Sequence, residues 1–99
     1  MKKTSKNNDF LNDVRSDLSP KVYEVVLNLV NEDREDLAKD VIKIDYLLDY
    51  TSRCLKAKDK REAKESIERA KIRIDNILKE GFSIEYIVYL YEGIRKKVK

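Results

Sequence analysis

The sequence contains no histidine, no tryptophan and no glutamine, and it has a single cysteine, Cys54. Histidine is the most frequent general base and metal ligand, so its absence removes the usual route to acid–base or metal chemistry. One cysteine excludes an internal disulfide and a multi-thiolate zinc site, and no histidine is available to activate its thiol. We therefore interpret Cys54 as a semi-buried structural thiol, and we expect no enzymatic activity, no catalytic residue and no cofactor.

Turn-forming residues are scarce, since the 99 residues include two glycines and one proline. A chain of this length makes one domain, and sparse turn signals favour a few long helices. No apolar run approaches the ~18 residues that a membrane span requires. The basic N-terminus has no apolar stretch behind it, which argues against a secretory signal. We therefore expect a cytoplasmic protein with no membrane association.

The N-terminal part divides into three predicted segments. Residues 1–8 are polar and basic and predict a disordered arm, whereas 9–99 predict a single helical-bundle domain. Apolar residues at helical spacing indicate a short helix from Asp9 to Leu18. A stronger start follows at once, because Ser19 can cap a helix and Pro20 suits its first position.

A polar stretch near Asn31 predicts the end of that helix, although one continuous helix is the open alternative because no glycine or proline intervenes. Asn31 or Asp33 could cap the next helix, predicted over 33–57. Its apolar residues alternate at spacings of four and three, the pattern of a helix that packs against another helix. These seam positions are Leu37, Val41, Ile44, Leu48, Thr51 and Leu55.

The C-terminal half predicts two more helices. Asp59 can cap a helix over 59–80, and Gly81 suits its end. The apolar residues of this helix again alternate at spacings of four and three: Ala63, Ile67, Ala70, Ile74 and Ile77. Ser83 can cap the last helix, predicted over 84–98. Its predicted apolar seam is Ile84, Ile87, Tyr91, Ile94 and Val98. The connections are short, so neighbouring helices should run antiparallel. The predicted fold class is therefore all-α: a small antiparallel helical bundle of three long helices plus one or two short N-terminal helices.

Two carboxylate pairs, Asp36/Asp40 and Asp45/Asp49, have the i,i+4 spacing that places both side chains on one helix face. Carboxylate-bridged metal sites in helical bundles also use glutamate and histidine motifs, which this sequence lacks. We interpret the pairs as a solvated acidic face and predict no metal site.

The most informative residues are apolar side chains that fall off the predicted seams. A domain of this size cannot readily bury two faces of several helices, and exposed tyrosine beside arginine is typical of protein-binding surfaces. The alternative is one central helix that is covered on both sides. We predict that these residues bind a larger protein, and self-association is a further option: Ile42, Tyr46, Tyr50, Tyr86, Val88 and Tyr89.

Basic residues suggest a second function, contact with a nucleic-acid backbone. The candidate residues at the C-terminus are Arg95, Lys96, Lys97 and Lys99. The helix over 59–80 is also rich in lysine and arginine, but its acidic residues largely cancel that charge, and the net charge of the chain is only +3. A basic C-terminus equally suits the dipole of the last helix.

A Lys/Glu-rich composition without glutamine is a tendency of hyperthermophile proteins. In size, in this composition and in segments such as Lys71-Ile72-Arg73-Ile74 and 84–91, the chain resembles the small helical accessory subunits of the crenarchaeal family-B replicative DNA polymerase holoenzyme. That resemblance implies a non-catalytic subunit that stabilises a polymerase complex in DNA replication, and it assigns no functional residues. Bacteriocin-immunity proteins and small antitoxins share this size and helical character, and 18–23 resembles an antitoxin segment, so an inhibitor is another alternative.

Overall fold

The computed structural model describes residues 18–98, and within that range the chain forms four α-helices and no strand. The helices are α1 (Pro20–Asn31), α2 (Glu35–Lys56), α3 (Lys60–Lys79) and α4 (Glu85–Arg95). They pack around one core, which confirms the all-α bundle. The break near Asn31 is also confirmed, because α1 and α2 are separate helices.

Three predictions fall outside the residues that the structure describes. They are the basic arm over 1–8, the helix from Asp9 to Leu18 apart from its last residue, and the contact residue Lys99.

The start of α1 follows the sequence prediction. Ser19 adopts an extended conformation, and its side-chain oxygen accepts a hydrogen bond from the backbone N–H of Val22 at 3.3 Å. Pro20 occupies the first helical position, where its missing N–H costs nothing. Asp59 caps α3 in the same way, because its Oδ1 accepts from the N–H of Glu62 at 3.2 Å.

Helices α1, α2 and α3 all end in the Schellman motif, in which a residue with positive φ turns the chain away from the helix axis. At the end of α1, Asp33 has φ 67°, and the N–H of Arg34 donates to the carbonyl of Leu29 at 2.8 Å. Lys58 (φ 63°) plays the same part after α2, and Gly81 (φ 91°) after α3. The sequence predicts only the glycine, since aspartate and lysine seldom adopt this conformation.

Two of the predicted caps are wrong. Asn31 belongs to α1 and Asp33 to its terminal turn, so α2 begins after Arg34, which makes no side-chain cap. Likewise α4 begins after Ile84 rather than at a Ser83 cap. Ile84 is buried, so its role in the core outweighs the preference for a polar residue at this position.

The prediction for the last helix is also too long. Helix α4 ends at Arg95, and 96–97 form a turn. That turn carries Val98 back into the core, where it is buried as its apolar spacing predicts.

Helices α2 and α3 form an antiparallel hairpin. Tyr50 contacts Glu62 close to the three-residue connection, whereas Asp40 contacts Arg73 far from it, so the two chains run in opposite directions. The Asp40–Arg73 ion pair has an N–O distance of 2.8 Å and is partly buried. The predicted α3 seam is confirmed, because all five of its residues are buried: Ala63, Ile67, Ala70, Ile74 and Ile77.

The hairpin seam contains one pair of buried hydroxyl groups. The Thr51 hydroxyl donates to the carbonyl of Leu47 at 2.7 Å, and it lies 2.6 Å from the hydroxyl of Ser66. The Ser66 hydroxyl can donate to Thr51 or to the carbonyl of Ala63 at 3.1 Å. Every buried side-chain nitrogen and oxygen within residues 18–98 has a hydrogen-bond partner, so hydrogen bonds offset the cost of removing this pair from water.

Helix α2 is the centre of the bundle, since α1, α3 and α4 all pack against it. At about 100° per residue, its buried positions cover roughly 200° of its circumference. This observation supports part of the alternative prediction of a central helix covered on more than one side. The buried residues are Leu37, Ala38, Val41, Ile44, Leu47, Leu48, Thr51 and Cys54.

Arg34 joins the two connections at one end of the bundle. Its guanidinium makes two hydrogen bonds to the Asp36 carboxylate, at 3.0 and 3.1 Å, and one to Glu80 at 3.2 Å. The guanidinium carbon also lies 5.5 Å from the centre of the Phe82 ring. These contacts lower the pKa of Asp36, chiefly through the hydrogen bonds from Arg34, and they raise the pKa of Arg34.

The two glycines provide a matched test of helix termination. A Cβ added at Gly81 or Gly93 meets no atom within 4 Å, so only the backbone distinguishes the two sites. We expect Gly81→Ala to lower the free energy of unfolding by about 1–2 kcal/mol, because alanine at φ 91° is strained. Gly93→Ala, inside α4, should raise it by up to about 1 kcal/mol. Urea denaturation of both variants measures this difference, and equal effects would contradict the argument.

The Arg34 contacts predict a pH-dependent contribution to stability. Because the pKa of Asp36 is lower in the folded chain than in the unfolded chain, the stabilisation is complete above the unfolded pKa of about 3.9. It is lost as the pH falls through the lower, folded value. We expect Arg34→Gln to reduce the free energy of unfolding at pH 7 and to have a much smaller effect once Asp36 is protonated. Urea denaturation at pH 7 and at a pH where Asp36 is protonated tests this, with Arg61→Gln at an exposed position of α3 as the control.

Candidate protein-interaction surfaces

An open groove of about 920 Å³ lies between α2 and α3. We call it the α2–α3 groove. Six of its lining residues are Lys43, Tyr46 and Tyr50 from α2, and Glu65, Arg69 and Ile72 from α3. The other lining residues are Asp40, Leu47, Glu62, Ser66, Arg73 and Asn76. The groove exists because the seam side chains hold the helices together along one line while the first six project to one side of it. Two of its apolar side chains are largely exposed, Tyr46 at 57% and Ile72 at 70%.

The tyrosines of the groove have a defined geometry. The rings of Tyr46 and Tyr50 stack with their centres 6.3 Å apart and an interplanar angle of 11°. The Lys43 amine lies 5.3 Å from the centre of the Tyr46 ring, and the Tyr50 hydroxyl donates to Glu62 at 3.4 Å. The Cys54 side chain, and then the charge of Glu62, raise the pKa of Tyr50 to about 12.

A second surface lies on α4, and we call it the α4 face: Tyr86, Val88 and Tyr89, with Leu78 from the end of α3. Tyr89 is 72% exposed, and its ring stacks on that of Tyr86 with 6.3 Å between centres. The Lys21 amine of α1 lies 5.3 Å from the centre of the Tyr86 ring. Tyr89 borders shallow depressions on both of its sides, and one of these is lined by Leu78 and Val88.

The predicted partner-binding residues therefore belong to two separate surfaces. The groove and the α4 depressions share no lining residue. Each residue of an α-helix is rotated by about 100° from the one before, so Ile72 and Leu78 point roughly 120° apart around α3. The two surfaces therefore face different directions. Ile42 lines neither the groove nor the α4 depressions, and it is half-buried against the core. Tyr50, Tyr86 and Val88 are also half-buried and pack partly against the core.

The exposure of one residue of the α4 face, Leu78, could not be predicted from the sequence. Leu78 is 45% exposed, yet it directly follows the buried seam residue Ile77 and lies near the seam on a helical wheel. Its exposure results from the end of α3, where no other helix covers it. No periodicity in the sequence signals this local gap.

The acidic pairs of α2 are mostly bound to arginine. Asp36 pairs with Arg34, Asp40 with Arg73, and Asp49 with Arg53 at 3.0 Å. Asp45 is half-buried, and burial, with a smaller contribution from Asp49, raises its pKa. Within residues 18–98, no group of three or more Asp, Glu, Cys or His side chains is placed to bind a metal ion. In the same range, no helix has the length and apolar character to cross a membrane.

The basic residues predicted to contact nucleic acid lie at the end of α4. Arg95, Lys96 and Lys97 are exposed, and Arg95 donates to the carbonyl of Val98 at 3.4 Å. Two cations of α3 are engaged elsewhere, since Arg73 binds Asp40 and Lys71 binds Asp75 at 2.9 Å. Within residues 18–98, the structure shows no continuous basic surface that includes these cations. Nucleic-acid contact stays a prediction.

Exposure predicts that the central tyrosine of each surface contributes little to stability. We expect Tyr46→Ser and Tyr89→Ser each to lower the free energy of unfolding by about 1 kcal/mol or less. Ile87→Ala, at a fully buried position in α4, should cost about 2–5 kcal/mol. Thermal denaturation of the three variants tests the contrast, and a loss of several kcal/mol at either tyrosine would assign that residue to the core.

Comparisons with models of protein families, with curated proteins and with solved structures found no match to this chain.

Proposed function

We propose that this protein is a non-enzymatic helical interaction module, an accessory subunit that binds a larger protein through the α4 face. The observation that carries the proposal is the exposure of Tyr89 at 72%, next to other apolar side chains. A tyrosine ring offers a large, rigid contact area whose burial against a partner is favourable. Tyrosine is also enriched among the residues that dominate binding energy at protein interfaces.

The surroundings of Tyr89 support a protein partner. The stack on Tyr86 limits the freedom of the Tyr89 ring, so less conformational entropy is lost on binding. On its other side, Gly93 has no side chain and leaves space beside the ring. An apolar centre next to a hollow, surrounded by polar residues, is the usual anatomy of a binding surface.

Charges around the α4 face indicate the chemistry of the partner. Glu85 and Glu92 are exposed at the edge of the depression that Tyr89 and Val88 line. Lys96 and Lys97 line the depression on the other side of Tyr89. The matching surface would carry basic residues opposite the glutamates and acidic residues opposite the lysines. The resemblance in the sequence makes a replicative DNA polymerase one candidate for the larger protein.

Partner capture with a matched control tests this proposal. The tagged protein, Tyr89→Ser and Tyr46→Ser are used to purify partners from the native host, and a specific partner is then titrated against each purified variant. We expect Tyr89→Ser to weaken binding about 30-fold or more, the effect of losing a dominant interface residue. Tyr46→Ser makes the same substitution on the other surface, and this variant should still bind the partner.

Two results would contradict the proposal. A partner that binds Tyr89→Ser as tightly as the original chain does not use the α4 face. A partner lost only by Tyr46→Ser would place the binding site in the α2–α3 groove instead.

A further inference from the structure

Charged side chains follow a definite order along the α2–α3 groove. Glu62 and Glu65 lie toward the connection between the two helices. Arg69 and Lys43 lie farther along, and Arg73 follows, paired with Asp40. The groove is thus acidic at one end and basic in the other part. With three acidic and three basic side chains among these lining residues, it has no net charge.

We propose that the occupant of this groove is a second copy of the same chain, related by a twofold axis that passes between Glu65 and Arg69. A twofold axis places two copies of one surface face to face in opposite directions. The acidic end of each copy then meets the basic part of the other. Glu65 of each chain comes opposite Arg69 of the second copy, and Glu62 comes opposite Arg73 and Lys43.

The tyrosines lie where this symmetry needs an apolar centre. Because α2 and α3 run antiparallel, Tyr50 lies level with Glu62 and Glu65, and Tyr46 lies one turn farther from the connection. The proposed axis therefore passes between the two tyrosines. Tyr46 of each copy is placed opposite Tyr50 of the other, and the exposed rings are buried at the middle of a four-helix arrangement.

The central charges are available for such pairing. Glu65 and Arg69 have the i,i+4 spacing of a helical ion pair, but neither forms an ion pair or hydrogen bond with any residue between 18 and 98. Other i,i+4 pairs do form, such as Lys71–Asp75 at 2.9 Å. The neutrality of the groove points the same way. A strongly basic or acidic partner would be matched by a groove whose charges all have the opposite sign. A surface that binds a copy of itself must instead carry both positive and negative charges.

The size of the groove predicts a weak dimer. Its lining residues on α3 span from Glu62 to Asn76, about 21 Å of helix, and two adjacent helices are about 20 Å wide. Two such surfaces bury on the order of 1,000 Å² in total, the lower end for a specific interface. The expected dissociation constant is in the micromolar range or above. Because the pairing is ionic at its edges, raising the salt from about 50 mM to about 500 mM should weaken association several-fold.

A charge-swap experiment tests the pairing directly by sedimentation equilibrium at low salt. Glu65→Arg places arginine opposite Arg69 in the symmetric dimer, and Arg69→Glu places glutamate opposite Glu65. We expect each variant alone to associate at least tenfold more weakly than the original chain. The double variant E65R/R69E restores both contacts and should dimerise like the original. An equimolar mixture of the two single variants should form a heterodimer, because each of its contacts joins arginine to glutamate.

Controls and contrary outcomes are equally specific. Glu68→Arg and Lys64→Glu make the same charge changes at exposed α3 positions outside the groove, and they should leave the association unchanged. Circular dichroism confirms that each variant is folded.

The proposal is overturned if the original chain remains a monomer near 1 mM, a concentration at which even weak specific dimers form. It is also overturned if the single variants dimerise normally or if their mixture does not recover. None of these outcomes bears on the α4 face, because no residue belongs to both surfaces.

Discussion

Packing against α2 is the constraint on which the rest of the structure depends. A bundle of this size has one core, and most of its buried apolar residues between 18 and 98 come from this one helix and its seam with α3. The other three helices gain their stability by covering part of α2, since amphipathic helices of 11 or 12 residues such as α4 and α1 are marginal in isolation. The exposed surfaces of residues 18–98 are the parts of the helices that this packing leaves uncovered.

This constraint explains why two interaction surfaces exist. The α2–α3 groove is the side of the hairpin that neither α1 nor α4 reaches. The α4 face arises because α4 is short and narrow, so it covers the core with one side and presents Tyr89 and Val88 on the other. The two surfaces differ in character: the groove has an acidic end and a basic part whose charges sum to zero, whereas the α4 face has an apolar centre between glutamates and lysines.

Much of this fold could be predicted from the sequence because the information is local. The alternating spacing of four and three identifies Val41, Ile67 and Ile74 as core, and the caps of α1 and α3 are encoded by Ser19 and Asp59. What could not be predicted depends on tertiary structure. Arg34 binds Glu80, 46 residues away, and no sequence pattern indicates that contact.

The same distinction holds for the candidate sites. A helical wheel correctly places Tyr46 and Tyr89 away from the seams, because exposure on one helix follows from its periodicity. It cannot show that these two tyrosines belong to different surfaces, since that depends on how α2 and α4 cross. It also overestimates the exposure of Ile42, because the central helix is covered over a wider arc than a single seam implies.

The hydroxyl pair of Thr51 and Ser66 has one more consequence, for the alignment of the hairpin. Aliphatic side chains tolerate many relative shifts of two helices, so a purely hydrocarbon seam discriminates poorly between neighbouring registers. Sliding α3 by one turn would face Thr51 with Ala63 or Ala70 and would break the hydrogen bond between Thr51 and Ser66, so that each hydroxyl keeps only a carbonyl of its own helix. Two small polar groups therefore favour a single register, which also decides which charges of α2 and α3 lie side by side.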